Sequence, residues 1–165
     1  MRICLVSSSF YPATFYGGPI FATLGLSKKL AEKDVQMYIS TTNANGSTRL
    51  RLQRNIFIKQ QQNLFIKYYH EQVVNRFSFA FAYGVWSDIK SADLVYIQYI
   101  FHYTSIISLI YSIMLNKKVV LCARGSLSSY GLDYKKKWIK KFWLALFIKP
   151  FISHLKWQAS SFLEY

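Results

Sequence analysis

The sequence predicts an α/β fold built on a Rossmann-like, doubly wound parallel sheet. Short, almost wholly apolar runs recur along the chain at Arg2–Ser8, Val35–Thr41, Leu64–Tyr69, Leu94–Gln98, Lys118–Ala123 and His154–Ala159. Strands buried on both faces read this way, whereas half-exposed strands alternate. Segments of helical length separate most of these runs, and strands that alternate with helices build parallel sheets through right-handed crossovers. In such sheets ligands bind outside the carboxyl ends of the strands, so the loops that matter are Ser7–Pro19, Thr42–Ser47, Tyr99–Thr104 and Arg124–Leu132.

The first run ends in "SSSFYPATFYGGPI", and two of the seven glycines and two of the three prolines fall between Pro12 and Pro19. Pro19 suits the first turn of a helix, where its missing N–H costs nothing. Ile20–Lys33 is that helix, with Leu24, Leu26 and Leu30 inward and Lys28, Lys29 and Glu32 outward. Residues 43–62 are polar and poorly periodic, and "RLRLQRNIFIKQQQ" reads as an irregular excursion or as a basic hairpin. Val73–Trp86 is an aromatic-rich helix, Tyr103–Leu115 an apolar one, and Tyr134–Ile148 a long basic one ended or kinked near Pro150.

At 165 residues one domain spanning 1–165 is expected, large enough for a proper core. The charge is lopsided, with 21 Lys and Arg against 7 Asp and Glu. That surplus attracts something anionic: nucleic acid, an acidic membrane surface or a phosphate-bearing ligand. Cys4 and Cys122 lie inside apolar runs and read as reduced core thiols. No metal-type Cys/His spacing is present. The N-terminus has too short an apolar core for a signal peptide, and Ile106–Leu115 falls well short of the roughly 20 residues that span a bilayer. A cytoplasmic protein that meets a membrane only from its surface is the expectation.

Gly17 and Gly18 stand between the first strand and first helix, where glycines let backbone N–H groups approach a ligand and the helix N-terminus favours an anion. Neither G-x-G-x-x-G nor the P-loop pattern is present, and a plain tight turn explains the pair equally well. Arg124 and Gly125 in "CARGSLSSYG" follow a buried strand, where a guanidinium suits bidentate anion recognition or pins a loop. His102 follows the fourth strand at the same edge, where a general base could sit, although a lone histidine between Phe101 and Tyr103 also suits a structural role. In "DYKKKWIKKFWLALFIK", Trp138, Ile139, Phe142, Ala145 and Leu146 share one face at about 100° per residue. Lys136, Lys137, Lys140 and Lys141 share the other, joined near its end by Leu144, Phe147 and Ile148. A basic helix with surplus apolar residues suits a membrane interface, just as a solvated lysine face over a normal core accounts for its lysines.

The order of four blocks resembles the N-terminal domain of GT4-type glycosyltransferases, the retaining GT-B enzymes of polysaccharide, lipopolysaccharide and glycolipid assembly. The blocks are "FYPATFYGGPIFATLGLSKKLAEKDVQMYISTT", "ADLVYIQYIFHYTSIISL", "KKVVLCARGSLSSYGLDYKKKWIKKF" and "WQASSFLEY". The resemblance implies the N-terminal, acceptor-side half of a GT-B fold, with the active site in a cleft against a second domain. It places Gly17 and Gly18 by the donor phosphates, and Arg124, Gly125 and His102 on the acceptor side of the cleft. It implies a nucleotide-sugar as donor substrate, a glycan or lipid-linked acceptor, no further cofactor, and an anionic membrane surface met by Lys136, Lys137, Lys140, Lys141, Phe147 and Ile148. Related sequences carry a His-x-His pattern where this chain has Tyr96-Ile97-Gln98, so that histidine role is not carried onto His102. The family's nucleotide-sugar-binding domain with its E-x7-E motif has no counterpart here. The expectation is therefore a truncated or split transferase, inactive alone unless a C-terminal domain is supplied. The rival is a non-catalytic basic module on an anionic membrane or nucleic acid, with nucleic acid disfavoured because the lysines concentrate on one helix.

Overall fold

The computed structural model describes residues 1–71, 77–127 and 137–160. Its strands are β1 (Arg2–Val6), β2 (Gln36–Thr42), β3 (Ala44–Asn45), β4 (Thr48–Arg49), β5 (Phe57–Gln61), β6 (Leu64–Tyr69), β7 (Leu94–Gln98), β8 (Lys118–Cys122) and β9 (Leu155–Gln158). The α-helices are α1 (Gly18–Glu32), α2 (Phe79–Lys90), α3 (Tyr103–Met114) and α4 (Lys137–Trp143). Seven strands form one sheet in the order β5-β6-β2-β1-β7-β8-β9, and β3 pairs with β4 in a separate small hairpin. Every pairing in the large sheet is parallel except that of β5 with β6. The expected Rossmann-like layer is therefore present, with an antiparallel edge strand added.

The alternation of side chains along each strand divides the core between the two faces. Ile3 and Leu5 join Met37, Ile39, Leu64, Ile66 and Ala31 of α1 on one face. Cys4 and Val6 join Val95, Ile97, Phe81 and Val85 of α2, and Leu109 of α3 on the other. Residues such as Leu5, Ile39, Ile97 and Phe81 are wholly shielded from solvent. Each contributes about 1.5–3 kcal/mol of hydrophobic stabilisation.

The helices meet the sheet differently from the expected leucine contact. The buried stripe of α1 is Ile20, Thr23, Ser27 and Ala31, while Leu24, Leu26 and Leu30 flank it half-buried. Thr23 Oγ1 donates to Pro19 O or Gln98 Oε1, both 2.7 Å away, and Ser27 Oγ donates to Thr23 O at 2.8 Å. Hydroxyls that bond the preceding turn bury without an unpaired group, and their small size lets the helix approach the sheet closely. Helix α3 likewise buries small hydroxyl residues, Thr104, Ser105, Ser108 and Ser112, and there Ser112 Oγ donates to Ser108 O at 2.6 Å.

Three further boundaries differ from expectation. Helix α2 starts at Phe79, because Ser78 caps it by accepting the Phe81 N–H at 2.9 Å; residues 73–76 of the expected helix lie outside the described residues. Strand β5 is held as an edge strand by β6, across a turn in which Asn63 has φ 61°. The expected long basic helix is α4 followed by a π-helical turn at Leu144–Ile148 and a 3-10 stretch at Lys149–His154. Pro150 has no N–H to continue the α ladder, and the backbone changes its winding there.

The face that α4 and its extension present is also corrected. Trp143, Leu144, Ile148 and Phe151 pack onto the core, and the Trp143 indole N–H donates to Ile100 O at 3.0 Å. Ile148 is 5% exposed, and Phe147 is half-buried with its ring against Trp143. Neither belongs to an outer surface. Exposed apolar side chains of the segment are Trp138, Ile139, Phe142, Leu146 and Ile152. Apolar residues run nearly all round this segment, so its periodicity does not select the inward arc; the need of a buried indole N–H for a partner does. Among the described residues no helix is long and apolar enough to cross a membrane.

Candidate functional site

Chain order reverses direction at β1. From β1 the chain builds outward through β2 and β6, then returns to lay β7, β8 and β9 on the other side. The loops after β1 and β7 therefore diverge at the carboxyl edge and leave a crevice between them. A cleft of ≈ 290 Å³ occupies that point, lined by Ser8, Ser9 and Tyr16 from the first loop, Tyr99 and His102 from the second, and Ser126 after β8.

The first loop is built by hydrogen bonding. Ser7 N–H continues the sheet to Ser40 O at 3.2 Å, Ser7 Oγ donates to Ser9 O at 2.7 Å, and Thr42 Oγ1 donates to Ser8 O at 2.7 Å. The Tyr68 hydroxyl donates to Tyr11 O. A 3-10 turn at Thr14–Tyr16 then leads to Gly17 at φ 67°, ψ −142°, a region essentially closed to side-chain-bearing residues. Gly18 opens α1 with ordinary φ, and a Cβ there would meet nothing within 4 Å. The two glycines thus differ: the first is required by the turn, and the second leaves open space beside it. Tyr16 and Pro19, on either side of the pair, line the cleft.

His102 lies in the cleft wall as the N-cap of α3. Its Nδ1 accepts from the Thr104 N–H at 3.4 Å and lies 2.9 Å from Thr104 Oγ1. An accepting Nδ1 puts the proton of the neutral ring on Nε2. The N-termini of α1 and α3 both border the cleft, and the partial positive charge at each favours an anionic or oxygen-rich ligand. Ser9, 3% exposed, has a buried hydroxyl with no hydrogen-bond partner among the described residues.

Of the two roles the sequence allows Arg124, anion fork or loop pin, its hydrogen bond to α1 matches the second. The residue has φ 52°, and its Nη2 donates to Thr23 Oγ1 at 3.2 Å, reaching back onto α1. Thr23 in turn bonds Gln98, so the loop after β8 is tied to α1 and β7 through one buried hydroxyl. Gly125, at φ 81°, completes the turn that brings Ser126 to the cleft. Residues 128–131 of that motif and Lys136 lie outside the described residues.

A buried polar hub behind the sheet escaped the sequence reading. Asp88 of α2, 4% exposed, accepts from Ser40 Oγ at 2.7 Å and Tyr69 Oη at 2.6 Å, and pairs with Lys67 Nζ at 2.5 Å. Burial, then the Asp88 carboxylate, pushes the Cys4 thiol up to about 12. Burial likewise raises the phenols of Tyr68 and Tyr69, with Asp88 adding to the latter. The three partners of Asp88 come from strands distant in sequence, and no local pattern marks the residue for them.

The fold and the placement of its cleft define the class: a Rossmann-like α/β layer of the kind found in GT-B glycosyltransferases. No protein-family model matches the chain, and no curated protein matches it by sequence. Solved structures do. Sucrose-phosphate synthase from Thermosynechococcus elongatus superposes with a TM-score of 0.56 at 10% identity, covering 88% of this chain and 38% of that one. Anabaena HepE, solved in complex with UDP-glucose, gives a TM-score of 0.55 at 14% identity, covering 98% of this chain and 44% of that one. At these identities the likeness is one of fold, and the chain spans about two fifths of the length of these structures.

Proposed function

We propose that this chain is the acceptor-side domain of a retaining, GT4-type glycosyltransferase that moves a sugar from a nucleotide-sugar to a polysaccharide or lipid-linked acceptor. The observation that carries the reading is the cleft at the point of strand-order reversal, bordered by two helix N-termini, on a sheet shared with glycosyltransferases. HepE holds UDP-glucose in its solved complex, which supports a nucleotide-sugar donor here. In this reading Gly18 leaves room for the donor phosphates, and Ser9, Tyr99, His102 and Ser126 receive acceptor hydroxyls. Arg124 and Gly125 hold the acceptor-side loop in place. The chain works with a nucleotide-sugar-binding domain, as its coverage of the solved neighbours suggests.

The test is transfer of labelled sugar from a panel of nucleotide-sugars, with the chain alone and with a separately supplied C-terminal domain. Transfer that needs both is expected, and efficient transfer by the chain alone refutes the need for a donor half. A peripheral membrane seat is part of the same proposal, carried by Trp138, Phe142, Leu146 and Ile152, all exposed beside Lys141. Interfacial surfaces combine apolar insertion with lysine attraction to anionic lipid. Sedimentation of the parent chain with anionic vesicles that is lost in Trp138→Ser/Phe142→Ser supports this seat, and unchanged sedimentation of the variant removes it.

A further inference from the structure

The basic segment at residues 49–54 has no place in the cleft just described. It runs along the edge of a second recess, of ≈ 470 Å³, at the carboxyl ends of β2 and β6. Arginine and leucine alternate here, and the structure uses the alternation. Leu50 and Leu52 are partly buried and pack against the core on the α1 side of the sheet, and the same stretch from Arg49 to Arg54 lines the recess with Asn43 and His70. The backbone is anchored at both ends: Leu50 N–H donates to Asn43 O at 2.8 Å, Asn43 Nδ2 to Leu50 O at 3.1 Å, and Asn55 N–H to Tyr68 O at 2.9 Å. Three guanidinium groups are thus brought together on a braced segment.

Their charge is little compensated. Arg49 pairs with the buried Glu71 at 3.2 Å, and among the described residues Arg51 and Arg54 form no salt bridge. His70 sits among them with a buried Nδ1 that has no hydrogen-bond partner among the described residues. Burial, then Arg54 and Arg49, hold this imidazole below its ordinary range, and Glu71 opposes them. Uncompensated guanidinium forks around a recess match the oxygens of a phosphate, which accept several charge-assisted hydrogen bonds at once. Among the described residues the recess has no aromatic wall other than His70, which disfavours stacked nucleobases.

We propose that this recess is a binding site for a phosphate group, carried as a phosphomonoester or diphosphate by a soluble ligand or a lipid headgroup. It is separate from the cleft, and the β3–β4 hairpin links the two by hydrogen bonds. Gly46 N–H of that hairpin donates to the Tyr16 hydroxyl at 2.8 Å, and Asn45 Oδ1 accepts from Phe15 N–H at 3.2 Å, while Arg49 closes the hairpin on the recess side. The site stands whether or not the chain transfers sugar.

The experiment is a titration of the chain with sodium pyrophosphate at constant ionic strength, read by the imidazole resonances of His70, His102 and His154. Saturable shifts confined to His70 are expected, with its pKa rising on saturation as the bound anion offsets the two arginines. Arg51→Ala/Arg54→Ala should weaken binding at least about tenfold, the scale of losing one charge-assisted contact. Lys28→Ala/Lys90→Ala removes the same charge from exposed positions elsewhere and should leave the affinity within about twofold. Equal weakening by the two double variants, or a His70 that does not move, means diffuse attraction to a basic protein and overturns the site. Vesicles containing phosphatidic acid distinguish the source. Sedimentation lost in Arg51→Ala/Arg54→Ala and displaced by pyrophosphate assigns a lipid headgroup, and binding of free pyrophosphate alone assigns a soluble phosphate.

Discussion

Gly84→Ala in the middle of α2 would ordinarily strengthen a helix by about 0.5–1 kcal/mol, because alanine loses less backbone entropy than glycine. The surroundings reverse the sign. A Cβ at Gly84 would stand 2.5 Å from Tyr69 Cε1, 2.8 Å from its hydroxyl oxygen and 3.0 Å from Cζ. Tyr69 is 2% exposed, meets the Phe81 ring edge-on at 5.4 Å and donates to Asp88 at 2.6 Å, so its ring has no free path away. Overpacking of this kind costs about 1–3 kcal/mol. Weakening a hydrogen bond to a charged group costs up to about 1.5–3 kcal/mol more. Set against the intrinsic gain, the net is a loss of about 3 kcal/mol, or a fall in Tm of about 6–12 °C for a chain of this size. Thermal and urea unfolding followed by circular dichroism measure it. Gly25→Ala on α1, where a Cβ meets nothing within 4 Å, is the control and should gain the ordinary increment. A Gly84 variant as stable as the parent, or more stable, would refute the account of close helix–tyrosine contact.

Asp88→Asn leaves Lys67 without its buried counter-charge and should cost about 3–5 kcal/mol in urea unfolding; a loss below about 1 kcal/mol would mean that the hub is solvated. Gly17→Ala should lose about 1–3 kcal/mol through its φ of 67°, whereas Gly18→Ala should leave stability within about 0.5 kcal/mol and lower only ligand binding in the cleft. Cys4, buried and with its thiol pushed up to about 12, should resist alkylation at pH 8 until the chain is unfolded, and native labelling at Cys4 by mass spectrometry would contradict its burial. His70, held below its ordinary 6.5, takes up a proton in the unfolded chain before the folded one, so stability should fall as pH drops below 6.5. His70→Gln should flatten that fall, and an unchanged profile would place the effect elsewhere.

The strands were the most legible part of the fold. Leu64–Tyr69 and Leu94–Gln98 lie where their apolar runs place them, because a strand covered on both faces needs no polar alternation. Edge strand β5 was left open between two readings, since Lys59, Gln60 and Gln61 mix with Phe57 and Ile58 and only the partner β6 decides its pairing. The loops at the carboxyl edge were located from chain order alone. Their side chains were not: Ser9, Tyr99 and Ser126 carry no pattern, and they reach the cleft because their loops diverge from one point of the sheet. Ser78, the cap of α2, is a readable signal that the aromatic-rich stretch from Phe77 to Trp86 obscures by running through it.

What the amino-acid order determined by itself is the alternation of buried strands with helices, and hence a parallel sheet with ligand loops along one edge. Periodicity and turn residues are local, and local rules suffice for that. Tertiary structure decided where the charged and aromatic groups point. A backbone turn at φ 52° sends Arg124 back to Thr23, an indole seeking the Ile100 carbonyl rotates Trp138 and Phe142 outward, and the pairing of β2 with β6 brings His70 to Arg49, Arg51 and Arg54. Each of these depends on a partner distant in sequence, and no local pattern encodes the position of a partner that folding has yet to supply.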